Sequence, residues 1–213
     1  MPDIPDTQIL DQLRATEPAR LRRLHHALTA AAHTDGLVDI AYRAVDSPVG
    51  SLLVAATERG VVRIAFDVQD HDAVLSELAH QISPRILYSP RRLDDTASQL
   101  DEYFAGSRTE FVLPLDLQLA QGFRREVLAE LRKVRFGARL SYGEVAAASG
   151  HPKAVRAVGT ACARNPIPLL IPCHRIVRTG GAIGQYAGGT ERKRLLLDME
   201  HRVSAALAHH DQS

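Results

Sequence analysis

The sequence predicts an α+β protein in which an N-terminal antiparallel sheet with helices precedes a mostly helical C-terminal domain containing a helix-turn-helix. Up to residue 118, short apolar and β-branched segments alternate with turn signals, and helical spacing follows them. From residue 119 onward the apolar residues recur at helical spacing, and the balance of charge changes sign. We therefore divide the chain into four parts: a helical extension (1–36), an α/β domain (37–118), a C-terminal domain (119–202) and a tail (203–213).

The spacing of apolar residues and the positions of turn residues predict the helices and strands of the first two parts. Apolar residues at helical spacing predict four helices, over residues 7–15, 18–33, 70–82 and 93–105. Turn residues delimit four predicted strands, over residues 39–45, 51–56, 61–66 and 111–117. The short connections between the first three strands favour an antiparallel meander. No chemistry is evident in this half of the sequence.

The C-terminal domain is predicted to contain a helix-turn-helix. A first helix with one apolar face begins near residue 119 and is expected to close at Phe136-Gly137. Ser141 is expected to cap a helix over 142–148, and Pro152 to open a second helix that ends at residue 163. This second helix carries basic residues among small ones, and small residues allow close approach to a duplex. The basic residues are Lys153, Arg156 and Arg164, and the small ones include Ala154, Ala157, Gly159, Thr160 and Ala161.

The distribution of charge suggests a polyanionic partner. The net charge of +1 conceals 15 basic and 6 acidic side chains in residues 119–202, against 11 and 18 in residues 1–118. A module with this basic excess suits nucleic acid, although a charge run can also simply solvate a surface.

Cysteine usage and hydropathy exclude several classes of protein. Cys162 and Cys173 are too few for a disulfide framework, and the histidines show no paired ligand spacing beside them, so we expect no metal site and a reducing compartment. No apolar run approaches the ~18 residues of a membrane span, and the N-terminus does not read as a signal peptide. These features lead us to expect a cytoplasmic location, in a bacterial cytosol or nucleoid, with no membrane partner.

One short motif carries candidate chemistry. In Pro172-Cys173-His174-Arg175 a thiol stands beside a candidate base, and a neighbouring imidazole can hold a thiol as the reactive thiolate. For this adjacency alone a buried cysteine is the preferred explanation, since free cysteine is among the most buried residue types. An upstream Asn165, a downstream glycine-rich hairpin and a later helix carrying Glu200 favour a reactive site.

Five blocks of sequence, in order and spacing, resemble the O6-alkylguanine-DNA alkyltransferases, also called methylated-DNA–protein-cysteine methyltransferases. The blocks are residues 156–159 (RAVG), 165–168 (NPIP), 171–177 (IPCHRIV), 184–189 (GQYAGG) and 195–200 (LLLDME). A weaker resemblance extends back to about Ala41, and residues 1–36 match nothing in the family. Departures include the absence of tryptophan, the VRFG at 134–137, and Ala187 where some relatives have serine. The cysteines of the structural zinc site found in some relatives are absent.

The resemblance implies that Cys173 takes an alkyl group from O6-alkylguanine, and from O4-alkylthymine, once and irreversibly, with no cofactor. His174 would act as the base through a water, with Glu200 orienting the imidazole. Tyr142 would donate a hydrogen bond to the departing base and lie near a phosphate. Asn165 would tie together the backbone turns around the cysteine.

The resemblance also assigns a DNA interface and a base pocket. Arg156 would fill the gap left by a base flipped out of double-stranded DNA, on a helix that enters the minor groove. Lys153, Ala157, Gly159 and Tyr142 would join it in contacting the duplex. The pocket would contain Tyr186 on the face of the base, the Ala187 amide at O6, the carbonyls of Cys173 and Ile176 at the exocyclic amine, and Lys193. We expect a monomer that binds DNA, and leave cooperative binding open.

Two alternatives from other classes remain at this point. The first is a non-catalytic DNA-binding sensor of alkyl lesions with the same helix-turn-helix, a reading that Cys173 argues against. The second is a Cys-His-Glu hydrolase, which would turn over esters or peptides and would not need a basic helix pair.

Overall fold

The computed structural model describes residues 36–210 and, before them, Arg20, Arg23, Leu24, Ala27 and Ala31, which are helical. The predicted helix over 7–15 lies outside the described residues, as does most of the one over 18–33. The contacts of the chain divide it into two units, Met1–Asp39 and Ile40–Ser213. All the elements that follow belong to the second unit. No helix in the described part of the chain is long and apolar enough to cross a membrane.

A four-stranded sheet forms the first half of this unit, with its strands in the order β3 (Gly60–Phe66), β2 (Leu52–Thr57), β1 (Ile40–Val45) and β4 (Ile86–Tyr88). The antiparallel meander is confirmed: β1 pairs with β2, and β2 pairs with β3. The fourth strand, β4, adds parallel to β1 and was not predicted, because three residues are too few to show a period.

The predicted strand over 111–117 was wrong. The one β-type pairing of this segment with the described strands is an isolated bridge between Val61 and Leu115. Pro114 interrupts it, and a proline has no N–H with which to continue a ladder. The Val61 N–H donates to the Pro114 carbonyl at 2.9 Å, so the segment covers the edge of β3 without extending the sheet.

Two helices follow the first three strands along the chain, one before β4 and one after it. α1 (His71–Gln81) and α2 (Asp94–Phe104) confirm two predicted helices to within one or two residues. The Asp70 carboxylate caps α1 by accepting from two backbone N–H groups. Val74 and Leu78 of α1 pack against one set of buried strand residues.

The second half is mostly helical, as predicted. Its helices are α3 (Phe123–Leu131), α4 (Tyr142–Ala148), α5 (Val155–Ala163) and α6 (Thr190–His210). Two-residue strands β5 (Leu140–Ser141) and β6 (Ile176–Val177) pair in parallel. Ser141 caps α4 as predicted, and Glu144 completes a capping box with it.

Four predicted helix boundaries were wrong. α3 begins at Phe123 and not near residue 119; it ends at Leu131, and Gly137, with φ of 74°, belongs to a separate turn. α5 begins at Val155, because Pro152 and Lys153 form the preceding turn. α6 continues to His210, into the segment that the sequence suggested was a tail.

The main hydrophobic core draws on both halves of the unit. Its buried members include Val54, Leu100, Val127, Ile171 and Leu196. A backbone hydrogen bond of 2.9 Å from the Ile64 N–H to the Pro166 carbonyl joins β3 to the loop that precedes Cys173. The division into two domains stays a prediction, but the packing that holds the cysteine loop comes from both.

Candidate active site

Asn165 organises the loop that carries the cysteine. Its side chain is buried, and the amide Nδ2 donates both to the Ile171 carbonyl at 2.8 Å and to Cys173 Sγ at 3.1 Å. Its Oδ1 accepts from the Ile167 N–H at 3.0 Å. One side chain therefore closes the loop from 165 to 173 and places a hydrogen-bond donor on the sulfur.

Cys173 begins a short 3₁₀ turn, Cys173–Arg175, directly before β6. The residue is only 2% exposed. Burial raises the pKa of its thiol to about 11, while the Asn165 hydrogen bond and the Lys193 charge oppose the rise. The resting group is thus a thiol, and it needs a proton acceptor to react as a thiolate.

His174 provides a candidate acceptor. Its ring is fully buried, and Nε2 lies 2.8 Å from Oε1 of Glu200. Burial lowers the pKa of the imidazole and the Glu200 carboxylate opposes this change, with a net lowering that favours the neutral ring. A neutral ring that donates from Nε2 leaves Nδ1 as its acceptor. Nδ1 is buried and has no hydrogen-bond partner among the described residues.

Glu200 is held by more donors than the sequence suggested. Arg175, which is buried, donates from Nε at 3.0 Å to Oε2 and from Nη2 at 2.9 Å to Oε1. The Gly137 N–H donates to Oε2 at 3.1 Å. Gly137 must be glycine here, because its φ is positive and an added Cβ would lie 2.1 Å from Ser204 Oγ.

Two side chains that contact Glu200, those of Arg175 and Tyr103, were not assigned to the site from the sequence. Arg175 lies within the cysteine motif, and its place beside His174 was the available signal. Tyr103, at the end of α2, donates from its hydroxyl to Glu200 Oε1 at 2.7 Å. It is separated from the carboxylate by 97 positions in a half of the sequence without recognisable chemistry, so no local signal could have indicated it.

Lys193 is a buried cation near the start of α6. The side chain is fully buried, its Nζ donates to the Ile176 carbonyl at 2.5 Å, and the ammonium lies 5.8 Å from the centre of the Tyr142 ring. Burial lowers its pKa and the thiol groups of Cys173 and Cys162 oppose this. Lys193 therefore fixes the Ile176 carbonyl and supplies a positive charge on the side of the sulfur.

The two tyrosines assigned from the sequence, Tyr186 in the pocket and Tyr142 as a hydrogen-bond donor, have different surroundings. The Tyr186 ring packs edge-on against Phe66 at 5.4 Å and near His174 at 6.3 Å, and its buried hydroxyl has no partner among the described residues. Tyr142 lines a more open region, where burial raises its pKa to about 12. At neutral pH its hydroxyl is therefore a proton donor. Ala187 is half-buried and packs against the main core.

A cleft of about 580 Å³ adjoins Tyr142. Its lining includes Arg156 and Gly159 of α5, together with Arg178, Gly184 and Gln185. Arg156 and Ala157 are exposed, and Lys153 is exposed in the turn before the helix. Cys162, also on α5, is buried, and burial raises its pKa. The described residues contain no group of three or more His, Cys, Asp or Glu side chains that could hold a metal ion.

Comparison with known proteins identifies both halves of the chain. Residues 40–117 match the family model of the 6-O-methylguanine DNA methyltransferase ribonuclease-like domain, and residues 122–202 match that of the 6-O-methylguanine DNA methyltransferase DNA binding domain. A methylated-DNA–protein-cysteine methyltransferase of Mycolicibacterium paratuberculosis is 37% identical over 167 residues, which are 78% of this chain and 96% of that protein. The constitutive enzyme of that name from Bacillus subtilis is 38% identical, over 76% and 96% of the two chains.

Solved structures agree with this assignment. The O6-methylguanine methyltransferase of Mycobacterium tuberculosis aligns with a TM-score of 0.68 at 34% identity, covering 76% of this chain and 93% of that one. The M. tuberculosis protein in complex with DNA aligns with a TM-score of 0.67 at 35% identity, over 76% and 94% of the two chains. These matches confirm the family that the sequence blocks predicted and the α+β fold. The chain belongs to the methylated-DNA–protein-cysteine methyltransferases, the family that repairs DNA by alkyl transfer to a protein cysteine.

Proposed function

We propose that Cys173 is the alkyl acceptor and that its substrate is O6-alkylguanine, with O4-alkylthymine as a second substrate, in double-stranded DNA. The observation that carries this proposal is the thiol held by Asn165 next to the buried His174–Glu200 pair. The arrangement supplies a nucleophile, a proton acceptor and a carboxylate that orients the acceptor.

In the proposed reaction the Cys173 proton passes through a water to Nδ1 of His174. The sulfur then forms a bond to the alkyl carbon, and the bond between that carbon and guanine O6 breaks. The electron pair leaves on the base, which recovers a proton with the help of the Tyr142 hydroxyl. A thioether has no easy hydrolytic exit, so one protein molecule acts once.

We assign the pocket contacts by the same reasoning. Tyr186 would lie against the base, the Ala187 amide would face O6, and the carbonyls of Cys173 and Ile176 would accept from the exocyclic amine. The hydrogen bond from Lys193 to the Ile176 carbonyl supports a structural contribution of Lys193 to this pocket. Lys193 also faces the sulfur as a positive charge and would favour the thiolate.

Access to the base requires flipping it out of the duplex, at a cost of a few kcal/mol. We propose that α4 and α5 act as a helix-turn-helix in the minor groove and that Arg156 fills the vacated position. Ala157, Gly159 and Lys153 would adjoin the DNA backbone. The exposure of Arg156 beside the cleft that contains Tyr142 supports this assignment. We further propose that the protein acts as a monomer in the cytosol or nucleoid.

Mass spectrometry after mixing the protein with a duplex that contains one O6-methylguanine tests the proposal. We expect one methyl group per protein, on the peptide that contains Cys173, and no second round of reaction. Cys173→Ser should bind the duplex but gain no mass. Methylation of Cys162, or several turnovers per molecule, would contradict the assignment, and turnover on esters without DNA would favour a hydrolase.

The same assay separates base flipping from chemistry. Arg156→Ala should slow the reaction with the duplex by about 10-fold or more, because the flipped state loses its support. Its reaction with free O6-benzylguanine, which needs no unstacking, should be unchanged. Equal losses on both substrates would show that Arg156 only stabilises the fold.

A further inference from the structure

Tyr103 is the one side chain of the sheet-containing half that we find hydrogen-bonded to the His174–Glu200 pair. Its ring is fully buried at the end of α2. The hydroxyl lies 2.7 Å from Glu200 Oε1 and 3.4 Å from His174 Nε2. The first family segment, residues 40–117, thus reaches the candidate catalytic groups of the second.

We propose that Tyr103 is a positioning residue for alkyl transfer, whose hydroxyl fixes and partly neutralises the carboxylate oxygen of Glu200 that His174 also uses. This inference rests on the proposed role of His174 as the proton acceptor. It gives the sheet-containing half of the chain a part in the chemistry in addition to its part in the core.

The two oxygens of the Glu200 carboxylate have different sets of donors, and this difference supports the proposal. Oε2 accepts from the Gly137 N–H and from Arg175 Nε. Oε1 accepts from three side chains, Tyr103, His174 and Arg175. Donors that share one oxygen compete for its negative charge, so the strength of the Tyr103 bond influences the strength of the His174 bond.

The Tyr103 hydroxyl keeps its proton and donates it in a hydrogen bond to Glu200. Burial and the nearby Glu200 charge raise its pKa well above its usual value, so it does not ionise at physiological pH. Packing alone does not require the hydroxyl. Phe104, Phe111 and Phe136 surround the ring, with centroids at 5.3, 5.2 and 5.9 Å, and a phenylalanine would meet the same neighbours.

The effect on His174 follows from the groups that face it. Glu200 stabilises the imidazolium, whereas Arg175 and Lys193 disfavour it, and the Tyr186 ring packs near it without charge. Removing the Tyr103 hydroxyl leaves Oε1 with more negative charge for His174. The imidazole should then hold its proton more tightly, and a protonated ring cannot accept a proton from the thiol.

Tyr103→Phe tests this inference through the pH dependence of Cys173 alkylation, read as single-turnover mass gain. The acidic limb of the rate should move to higher pH by about half a unit to one unit. The proton on His174 Nε2 should also move downfield in the NMR spectrum, because its bond to Oε1 strengthens. Incorporation of 3-fluorotyrosine at position 103, a stronger donor, should move both quantities in the opposite direction.

Phe111→Leu is the matched control, since it loosens the same ring without touching the carboxylate. It should lower stability and leave the pH profile and the His174 resonance unchanged. A wild-type pH profile and resonance in Tyr103→Phe would overturn the inference while leaving Cys173 alkylation intact. Absence of alkylation in the wild-type protein would instead overturn the proposed function itself.

Discussion

Glu200 shows at the scale of one residue how a buried charge is retained. The carboxylate is 1% exposed and accepts from four residues: Tyr103, Gly137, His174 and Arg175. Burial alone would raise its pKa, but the hydrogen bonds and charges of His174 and Arg175 outweigh burial and lower the pKa to about 2. The group is therefore an anion at every pH at which the protein would act.

This lowered pKa predicts acid sensitivity. Because the folded-state pKa lies below the usual 4.5, Glu200 contributes stability that is fully present above that pH and is lost as the pH falls toward 2. The contribution is about 3 kcal/mol at neutral pH. Glu200→Gln should lower the free energy of unfolding at pH 7 by roughly 3–5 kcal/mol, since it leaves Arg175 buried and unpaired. The substitution should also make the free energy of unfolding depend less on pH between 4.5 and 2.

Urea unfolding at a series of pH values measures both effects. Glu191→Gln is the control, because Glu191 forms an exposed pair with Arg194 on the same helix, and such pairs contribute little. If the free energy of unfolding of Glu200→Gln fell with decreasing pH as steeply as that of the wild type, other carboxylates would account for the acid sensitivity.

At the scale of the element, α5 contains a glycine that the fold does not require. An added Cβ at Gly159 would meet no atom within 4 Å, and the residue lies in the middle of the helix. Glycine in a helix interior costs about 1 kcal/mol relative to alanine. We infer that the small size of this residue serves a surface outside the chain, namely the duplex that α5 is proposed to approach.

Gly159→Ala should therefore separate stability from binding. We expect the free energy of unfolding to rise by roughly 0.5–1 kcal/mol, and the affinity for duplex DNA to fall, because the methyl group holds the helix away from the groove. Thermal unfolding and a DNA titration measure the two quantities, and the rate with free O6-benzylguanine serves as the control. If the variant bound duplex as tightly as the wild type, α5 would not approach DNA closely at this residue.

At the scale of the whole molecule, the charge is divided between the two halves. Residues 119–202 carry 15 basic and 6 acidic side chains. Binding to duplex DNA should weaken steeply as salt rises. The logarithm of the binding constant should fall by about 0.9 per unit of the logarithm of salt concentration for each phosphate contacted. Alkylation of Cys173 by free O6-benzylguanine should change little over the same range. A flat salt response in the DNA titration would remove the phosphate backbone as the main source of affinity.

The sequence predicted the features that depend on local pattern. The meander was predictable because each of its strands is apolar and bounded by turn residues. The residues of the candidate site could be named because each sequence block that contains them is short and contiguous. β4 was not, since Ile86–Tyr88 is held by pairing with β1 and not by its own pattern. Tyr103 was missed for a related reason: a tyrosine at the end of an amphipathic helix is indistinguishable from any core aromatic until its distant partner is known.

The hydrogen bonds along β3 have a consequence for solubility. An edge strand with free N–H and C=O groups can recruit a strand of another chain. Here Val61 pairs with the segment around Pro114, and Ile64 donates to Pro166 in the loop that leads to Cys173. The loop that holds Cys173 therefore also protects the edge of the sheet, and a substitution that displaced this loop would expose an edge able to pair with another chain.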